Sequence, residues 1–190
     1  ARPFRPGKTV VVWDDDQASW ERRKIVGNLS VIFTAHHGED RYTRARRATR
    51  LAFQVAARPG RDVLMCEDDV AFAPGWDEAL ERWASLRPPG LVWGFNRFGG
   101  TMAREGRYPR GMRTWGKLAV YWPAECRSAY AATLAEERTT LVDELDGVQG
   151  EWARRARVPV YLPFPSLVQH AGETSMLTPH FGRRSSPVFP

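Results

Sequence analysis

Three consecutive carboxylates, Glu67, Asp68 and Asp69, follow directly after the apolar run Val63–Cys66. An apolar run of this length that stops at charged residues is typical of a buried strand, so we expect the acids where the strand leaves the core. Adjacent carboxylates repel one another unless a cation neutralises them. Mg²⁺ and Mn²⁺ prefer carboxylate oxygens and commonly bind substrate phosphates as well. The triplet therefore predicts a divalent-metal site that holds a diphosphate; the plainer interpretation is a solvated acidic turn.

A histidine late in the chain, His170, is a candidate to complete such a site. It follows the short apolar pair Leu167-Val168, and a neutral imidazole is a common metal ligand. The other interpretation is a partly buried histidine whose nitrogens are satisfied by protein groups. Spacing alone favours that second interpretation.

Arginine dominates the positive charge of the chain. Only Lys8, Lys24 and Lys117 are lysines among the 28 basic residues, and the net charge is +6. Guanidinium groups bind phosphate and carboxylate in a bidentate manner. A GC-rich genome explains the arginine total equally well, so the local clusters are more informative than the total.

Two arginine clusters stand out. The first occupies one predicted helix and comprises Arg41, Arg44, Arg46, Arg47 and Arg50. The second lies in and around the glycine-containing segment 96–116, with Tyr108 and Trp115 interleaved, and comprises Arg97, Arg104, Arg107, Arg110, Arg113 and Lys117. A flexible basic segment with aromatic residues suits a phosphate backbone and stacked bases or sugars. The alternative is a solvated loop whose arginines meet a bound diphosphate, and both interpretations place the segment near the metal site.

Strand-like and helix-like segments alternate over the first two-thirds of the chain. The predicted strands cover residues 10–13, 31–34, 62–66, 91–95, 117–122 and 158–162, and the predicted helices cover 18–26, 41–57, 76–86, 123–137 and part of 141–156. Asp40 is a candidate cap for the helix at 41–57. The alternation predicts an α/β sandwich with a largely parallel sheet. Ligands of such sheets bind at the carboxyl ends of the strands, where the acid triplet is expected.

Length and composition predict a single domain over residues 1–190, since 190 residues suffice for one hydrophobic core. Two cysteines are too few for a disulfide framework. No apolar run approaches the ~18–20 residues of a membrane span. The first residues also lack the apolar core of a secretory signal. We therefore expect a cytoplasmic protein without a membrane segment.

These residues together resemble glycosyltransferases of the GT-A fold, most nearly glycosyltransferase family 25 and its small bacterial and phage relatives. The segment 63–70, VLMCEDDV, resembles the metal-binding Asp-x-Asp element, or DXD motif, of these enzymes. Further matches occur in chain order at residues 10–14, 20–23, 116–124, 142–145 and 165–170. The resemblance is loose over most of the chain and specific only around residues 63–72 and 163–176. The arginines of residues 44–50 depart from the family, which has small residues and a Ser-His pair there. The resemblance implies a GT-A-like, Rossmann-like α/β/α sandwich with a mixed, mostly parallel central sheet.

The resemblance also implies an activity: a hexosyltransferase that moves a sugar from a nucleotide sugar, in the first instance a UDP-sugar, to an acceptor hydroxyl. The implied metal is Mn²⁺ or Mg²⁺, and its ligands would be Asp69, Asp68, Glu67 and His170. The nucleotide sugar would contact Asp14, Asp16, Arg22, Arg47 and Asp68. The general base that the acceptor requires would be Asp143 or, as second choice, Asp146. Helix capping is the other interpretation of these last two acids.

The acceptor side of the implied enzyme comprises Arg104, Arg107, Arg110, Arg113 and Trp115. The acceptor is either a hydroxymethylated base in phage-type DNA or a cell-surface glycan or lipid-linked sugar. Two other classes stay open. One is a nucleic-acid-binding module without catalysis, which the acid triplet disfavours because acids repel phosphate. The other is a metal-dependent nuclease, which the scarcity of lysine disfavours. No protein partner is evident, and the expected compartment is the cytoplasm of a bacterium or a phage-infected host.

Overall fold

The computed structural model of the chain describes residues 10–13, 30–33, 40–56, 60–67, 70–86, 88–98, 104, 106–107, 118–136, 145–171 and 186–190. Strands and helices alternate along these residues. In chain order they are β1 (Val10–Trp13), β2 (Ser30–Phe33), α1 (Arg41–Ala56), β3 (Val63–Cys66), β4 (Val70–Phe72), α2 (Trp76–Ala84), β5 (Leu91–Trp93), β6 (Ala119–Trp122), α3 (Ala124–Glu136), α4 (Leu145–Arg155), β7 (Val160–Tyr161) and β8 (Val168–His170).

Four strands form a mixed sheet in the order β3-β6-β5-β7. β6 is antiparallel to both β3 and β5, whereas β5 and β7 are parallel. Strands β3, β5 and β7 therefore run in one direction and β6 runs in the other. Their C-terminal ends and the start of β6 lie along the same side of the sheet, which we call the carboxyl edge.

Two further strand pairs accompany this sheet. β1 and β2 are parallel, and β4 and β8 are antiparallel. The predicted mixed α/β architecture is confirmed. Among the described strands, however, three pairs are antiparallel and two are parallel, so this part of the structure is less parallel than the alternation of elements predicts. The reversed central strand β6 accounts for two of the antiparallel pairs.

The side chains of β5 and β6 alternate between two hydrophobic clusters, as the two-residue period of a strand requires. Trp93, Val120 and Trp122 belong to the first cluster, whereas Val92 and Tyr121 belong to the second. Helices α1, α3 and α4 supply the first cluster with Phe53, Cys126, Tyr130, Trp152 and Ala153. Helix α2 supplies the second cluster with Leu80 and is joined there by Val168 of β8. Helices thus cover both faces of the sheet.

Four aromatic rings form the centre of the first cluster. Phe53 meets Trp122 edge-on at a centroid distance of 5.0 Å, and Tyr130 stacks on Trp122 at 4.9 Å. Trp152 of α4 lies 5.4 Å from Tyr130. Because a buried aromatic ring removes roughly 150–250 Å² from water, these contacts hold three helices firmly on the sheet. The sheet is thereby a rigid support for groups at its carboxyl edge.

Strand β3 is less buried than the sequence predicts. Its first three residues are half-buried and Cys66 is exposed. β3 is at the end of the strand order among the described strands, and it is paired there with β6 alone. An apolar run cannot by itself distinguish a central strand from such an outer one.

The N-terminus of α1 confirms one local prediction. Asp40 accepts hydrogen bonds from the Thr43 backbone N–H to Oδ1 at 3.1 Å and from the Thr43 hydroxyl to Oδ2 at 2.6 Å. This is the geometry of an N-cap, in which a carboxylate satisfies a backbone N–H of the first turn. The predicted and observed helices differ by one residue at the C-terminal end.

No helix among the described residues is both long enough and apolar enough to cross a membrane.

Candidate functional site

Glu67 is the first member of the acid triplet, and it lies at the carboxyl edge. Its backbone N–H donates to the Leu118 carbonyl at 2.8 Å, which extends the β3–β6 pairing by one residue. The residue itself is exposed. Asp68 and Asp69 lie outside the described residues, between Glu67 and the first residue of β4. In sequence, the triplet therefore occupies the whole connection between β3 and β4.

The pairing of β4 with β8 connects the triplet to His170. Val70 is directly opposite His170 in this antiparallel pair, followed by Ala71 with Gln169. Opposed Cα atoms in such a pair are about 4.5–5.5 Å apart, and Asp69 is the chain neighbour of Val70, with a Cα spacing of about 3.8 Å. The pairing therefore places His170 opposite Val70, the residue that follows the acid triplet in the chain. His170 is 6% exposed.

A buried polar network fixes the chain just before β8. The Ser166 Oγ accepts from the Asn96 backbone N–H at 2.9 Å, and it lies 3.1 Å from the Gly94 carbonyl and 2.9 Å from the Val168 carbonyl, to which it can donate. The Asn96 Nδ2 donates to the Pro163 carbonyl at 3.0 Å. Asn96 and Ser166 have no solvent exposure. The network therefore locks the start of β8 to the end of β5.

The segment 186–190 adds three hydrogen bonds to this network. The Ser186 hydroxyl donates to the Asn96 carbonyl, and the Ser186 N–H donates to Gln169 Oε1 at 2.7 Å. The Ser166 N–H donates to the Val188 carbonyl at 3.0 Å. These bonds hold Asn96 after β5, Gln169 of β8 and Ser166 just before β8, so together they restrain the backbone that carries His170.

The donor chemistry of the site suits a divalent cation such as Mn²⁺ or Mg²⁺. Glu67 offers carboxylate oxygens and His170 an imidazole. Within the described ranges alone, no group of three or more His, Cys, Asp or Glu side chains is close enough to hold a metal. A metal site at this edge would therefore require Asp68 or Asp69, which are outside the described residues.

Cys66, the last residue of β3, adjoins the acids. The residue is exposed, but desolvation of its thiol and, to a smaller extent, the charge of Glu67 raise its pKa to about 12. The Cys66 thiol is therefore protonated at neutral pH.

Two arginines predicted to bind the acceptor lie beside β7. The Arg104 guanidinium is 5.5 Å from the centre of the Phe164 ring, and the Arg107 guanidinium is 5.6 Å from the centre of the Tyr161 ring. Arg107 also forms an antiparallel bridge with Tyr161. Both arginines are exposed. Because β7 ends at Tyr161, this segment flanks the carboxyl edge.

The remaining predicted residues are divided between other parts of the chain. Arg47 is half-buried in α1, a helix that packs on the first face of the sheet, whereas β8 packs on the second. Asp146 is the second residue of α4. The predicted residues outside the described ranges are Asp14, Asp16, Arg22, Arg110, Arg113, Trp115 and Asp143.

Sequence reasoning missed Asn96, Ser166 and Phe164. Asn96 had a signal, since it is the first polar residue after the apolar run of β5. Ser166 had none, because its importance depends on hydrogen bonds that join residues 70 positions apart. Phe164 is flanked by Pro163 and Pro165 and had the signal of an aromatic residue between two prolines.

No protein-family model matches the chain, and no curated protein matches it significantly. The functional argument therefore depends on the geometry and chemistry of the chain itself.

Proposed function

We propose that the protein is a metal-dependent glycosyltransferase with a GT-A-like architecture, which moves a sugar from a nucleotide sugar to an acceptor hydroxyl. One observation carries the proposal: β4 and β8 pair so that His170 is opposite Val70, the residue after the acid triplet. In this proposal, the carboxylates of one segment and the imidazole of a distant one come together at the carboxyl edge. In open α/β sheets this is the side on which ligands bind.

The residues in the proposed site have distinct tasks. Asp69, with Asp68 or Glu67, and His170 would hold Mn²⁺ or Mg²⁺. When bound, a divalent metal supplies the positive charge that stabilises a leaving diphosphate. The Ser166 network would keep the His170 backbone in place while the diphosphate enters and leaves. This support matters because a displacement of about 1 Å at a reacting centre can reduce the rate by roughly 100-fold.

The direction of α4 supports Asp146 as the general base. The helix ends at Arg155 and β7 begins at Val160, with a tight connection in which the Val158 N–H donates to the Ala153 carbonyl at 2.8 Å. The end of α4 is therefore near the start of β7. Since the helix packs along the sheet through Trp152, its start is directed towards the carboxyl edge. Asp143, just before α4, is the alternative base in the same region.

The donor in this proposal is a UDP-sugar, and Asp14, Asp16, Arg22 and Arg47 are proposed to contact it. The acceptor in this proposal is a hydroxymethylated base in DNA. The exposed Arg104 and Arg107 beside the carboxyl edge favour a polyanionic acceptor over a neutral glycan. The proposed compartment is the cytoplasm, where both DNA and nucleotide sugars are present.

A transfer assay tests the proposal. The protein is incubated with Mn²⁺, a panel of nucleotide sugars and DNA that contains hydroxymethylcytosine, and nucleosides are then analysed by mass spectrometry. We expect a mass gain of one hexose that is lost on chelation and in Asp69→Asn. Glu78→Gln removes one exposed carboxylate from α2 and is the matched control, with full activity expected.

The outcomes separate the competing functions. Consumption of a nucleotide sugar without a gain on DNA would move the acceptor to a glycan or lipid-linked sugar. Metal-dependent cleavage of the DNA would favour the nuclease. If no nucleotide sugar is consumed or bound in the presence of metal, the glycosyltransferase proposal is wrong and a non-catalytic nucleic-acid-binding module takes its place.

A further inference from the structure

Gly106 and Arg107 pair with Leu162 and Tyr161 as a short antiparallel ribbon along β7, and Arg104 is close before this ribbon in the chain. Arg107 is opposite Tyr161, and the Leu162 N–H donates to the Gly106 carbonyl at 3.0 Å. Two residues before Gly106 in the chain, the Arg104 guanidinium lies over Phe164, which is two residues after Leu162. Both arginines therefore contact aromatic rings of the segment 161–164.

The guanidinium groups of Arg104 and Arg107 contact aromatic rings instead of carboxylates. Arg104 and Arg107 have cation–π contacts, and a third arginine, Arg97, is 5.2 Å from the ring centre of Phe98. Within the described part of the chain, no salt bridge engages any of the three. By contrast, Arg154 on α4 is paired with Glu151 at 2.6 Å. A guanidinium fixed on a ring keeps N–H donors available for an anion.

Phe164 adds a stacking surface to these donors. It is 42% exposed, an unusual exposure for a large apolar side chain in this structure. The Asn96 Nδ2 holds the carbonyl of the preceding residue, Pro163, so the backbone that presents the ring is anchored to the buried network. An exposed ring of this kind offers a face to a planar group such as an unpaired base.

We propose that Phe164, Arg104 and Arg107 form a binding surface for a single-stranded or locally opened segment of nucleic acid. An unpaired base stacks on Phe164, and the two guanidinium groups contact phosphates of the same strand. Two residues three positions apart are at most ~10 Å apart along the chain, which several phosphates of one strand span. Assigning this strand as the acceptor rests on the proposed glycosyltransferase function. The binding surface itself does not.

Fluorescence anisotropy with a labelled 12-nucleotide single strand tests this surface. The titrations are made in EDTA, which separates the surface from the proposed metal site, and at several salt concentrations. We expect Phe164→Ala to weaken binding about 5- to 100-fold, as loss of one stacked base does, with an unchanged salt dependence. Arg104→Gln and Arg107→Gln should each reduce the slope of log K against log salt by about 0.7.

Two controls exclude trivial explanations. Arg154→Gln removes the same charge from an exposed, carboxylate-paired arginine and should leave binding unchanged. Phe164→Trp should keep the binding that Phe164→Ala loses. A folding defect caused by the loss of Phe164 would not allow this. Equal binding of wild type, Phe164→Ala and Arg154→Gln would overturn the proposal. Dextran sulfate is a polyanion without bases and competes with the oligonucleotide only for positive charge. If it displaced the oligonucleotide equally well from Phe164→Ala and from the wild type, stacking would play no part and the proposal would be overturned.

A parallel titration with UDP-glucose and Mn²⁺ separates the two proposals. If the nucleotide sugar binds but the oligonucleotide does not, the binding surface is wrong and the glycosyltransferase stands. If the oligonucleotide binds through Phe164 but no nucleotide sugar binds, the surface stands and the proposed activity is wrong.

Discussion

Ser166 joins three parts of the chain, two through its hydroxyl group and the third through its backbone N–H. It accepts from the Asn96 N–H and contacts the carbonyls of Gly94 and Val168, while its own N–H donates to Val188. The residue is fully buried, so water cannot replace a lost bond without entering the core. Ser166 therefore influences both stability and the position of β8.

We expect Ser166→Ala to lower the free energy of unfolding by about 1–3 kcal/mol, because it leaves the buried Asn96 N–H without its acceptor. Urea denaturation followed by circular dichroism measures the change. The matched control is Ser128→Ala on α3. The Ser128 hydroxyl donates to the Ala124 carbonyl on an exposed helix surface, so its loss should change stability by no more than about 0.5 kcal/mol. Equal effects of the two substitutions would contradict the structural role of the network.

Individual residues differ in how far the sequence reveals them. The Asp40 cap was predictable because capping acts within one turn, and the structure confirms it. The acid triplet stands out because like charges are adjacent. Asn96 and Ser166 escaped notice because their value comes from contacts between residues far apart in the chain, which no local pattern records.

At the scale of elements, the short strands were the hardest to predict. The predicted bounds of α1 and α3 differ from the observed bounds by one residue at an end, since long helical segments carry strong signals. β4 was not predicted as a strand, because three residues after a run of acids show no periodicity. Its pairing with β8 nevertheless determines the candidate site.

The ribbon beside β7 depends on Gly106. Gly106 has φ +69°, and a Cβ atom there would be 2.9 Å from Cη2 of Trp83. Only glycine adopts this conformation readily, and the missing side chain lets the loop pack against α2. The glycine therefore allows the close approach of this loop to Trp83, next to Arg107.

We expect Gly106→Ala to destabilise the protein by about 2 kcal/mol or more, since it adds a steric clash to the roughly 1–2 kcal/mol cost of a left-handed residue. Gly60→Ala is the control: Gly60 has φ +72°, and nothing lies within 4 Å of its added Cβ. Gly60→Ala should show the backbone cost alone. Urea denaturation of both variants measures the difference, and Gly106→Ala being no worse than Gly60→Ala would contradict the packing against Trp83.

At the scale of the whole molecule, one sheet carries two hydrophobic faces and one polar edge. The alternation of strands and helices predicted the mixed α/β class, and the structure confirms it. The alternation of elements did not predict that β6 is antiparallel to its neighbours, because strand direction depends on how the connections cross the sheet. The pairing of Val70 with His170, on which the proposed site depends, belongs to that topology.

The stability of the whole molecule should decline in alkali. Desolvation and the hydrogen bond from the Tyr121 hydroxyl to Asp62 at 2.6 Å raise the pKa of Tyr121 well above its usual value near 10. The unfolded chain therefore loses this proton first as the pH rises, and stability falls above about pH 10. Tyr121→Phe should be less stable at pH 8 but should lose less stability between pH 9 and 11, as urea midpoints would show. An equally steep decline in the variant would contradict the assignment.

The central claim is that the acid triplet and His170 form one metal-dependent nucleotide site, and calorimetric titration with UDP tests it most directly. We predict that UDP binds the wild-type protein only with Mn²⁺ or Mg²⁺ present, and that Asp69→Asn and His170→Ala each weaken binding at least about 10-fold. Glu78→Gln should bind as the wild type does. UDP binding that is independent of metal, or that is unchanged in both Asp69→Asn and His170→Ala, would contradict the claim.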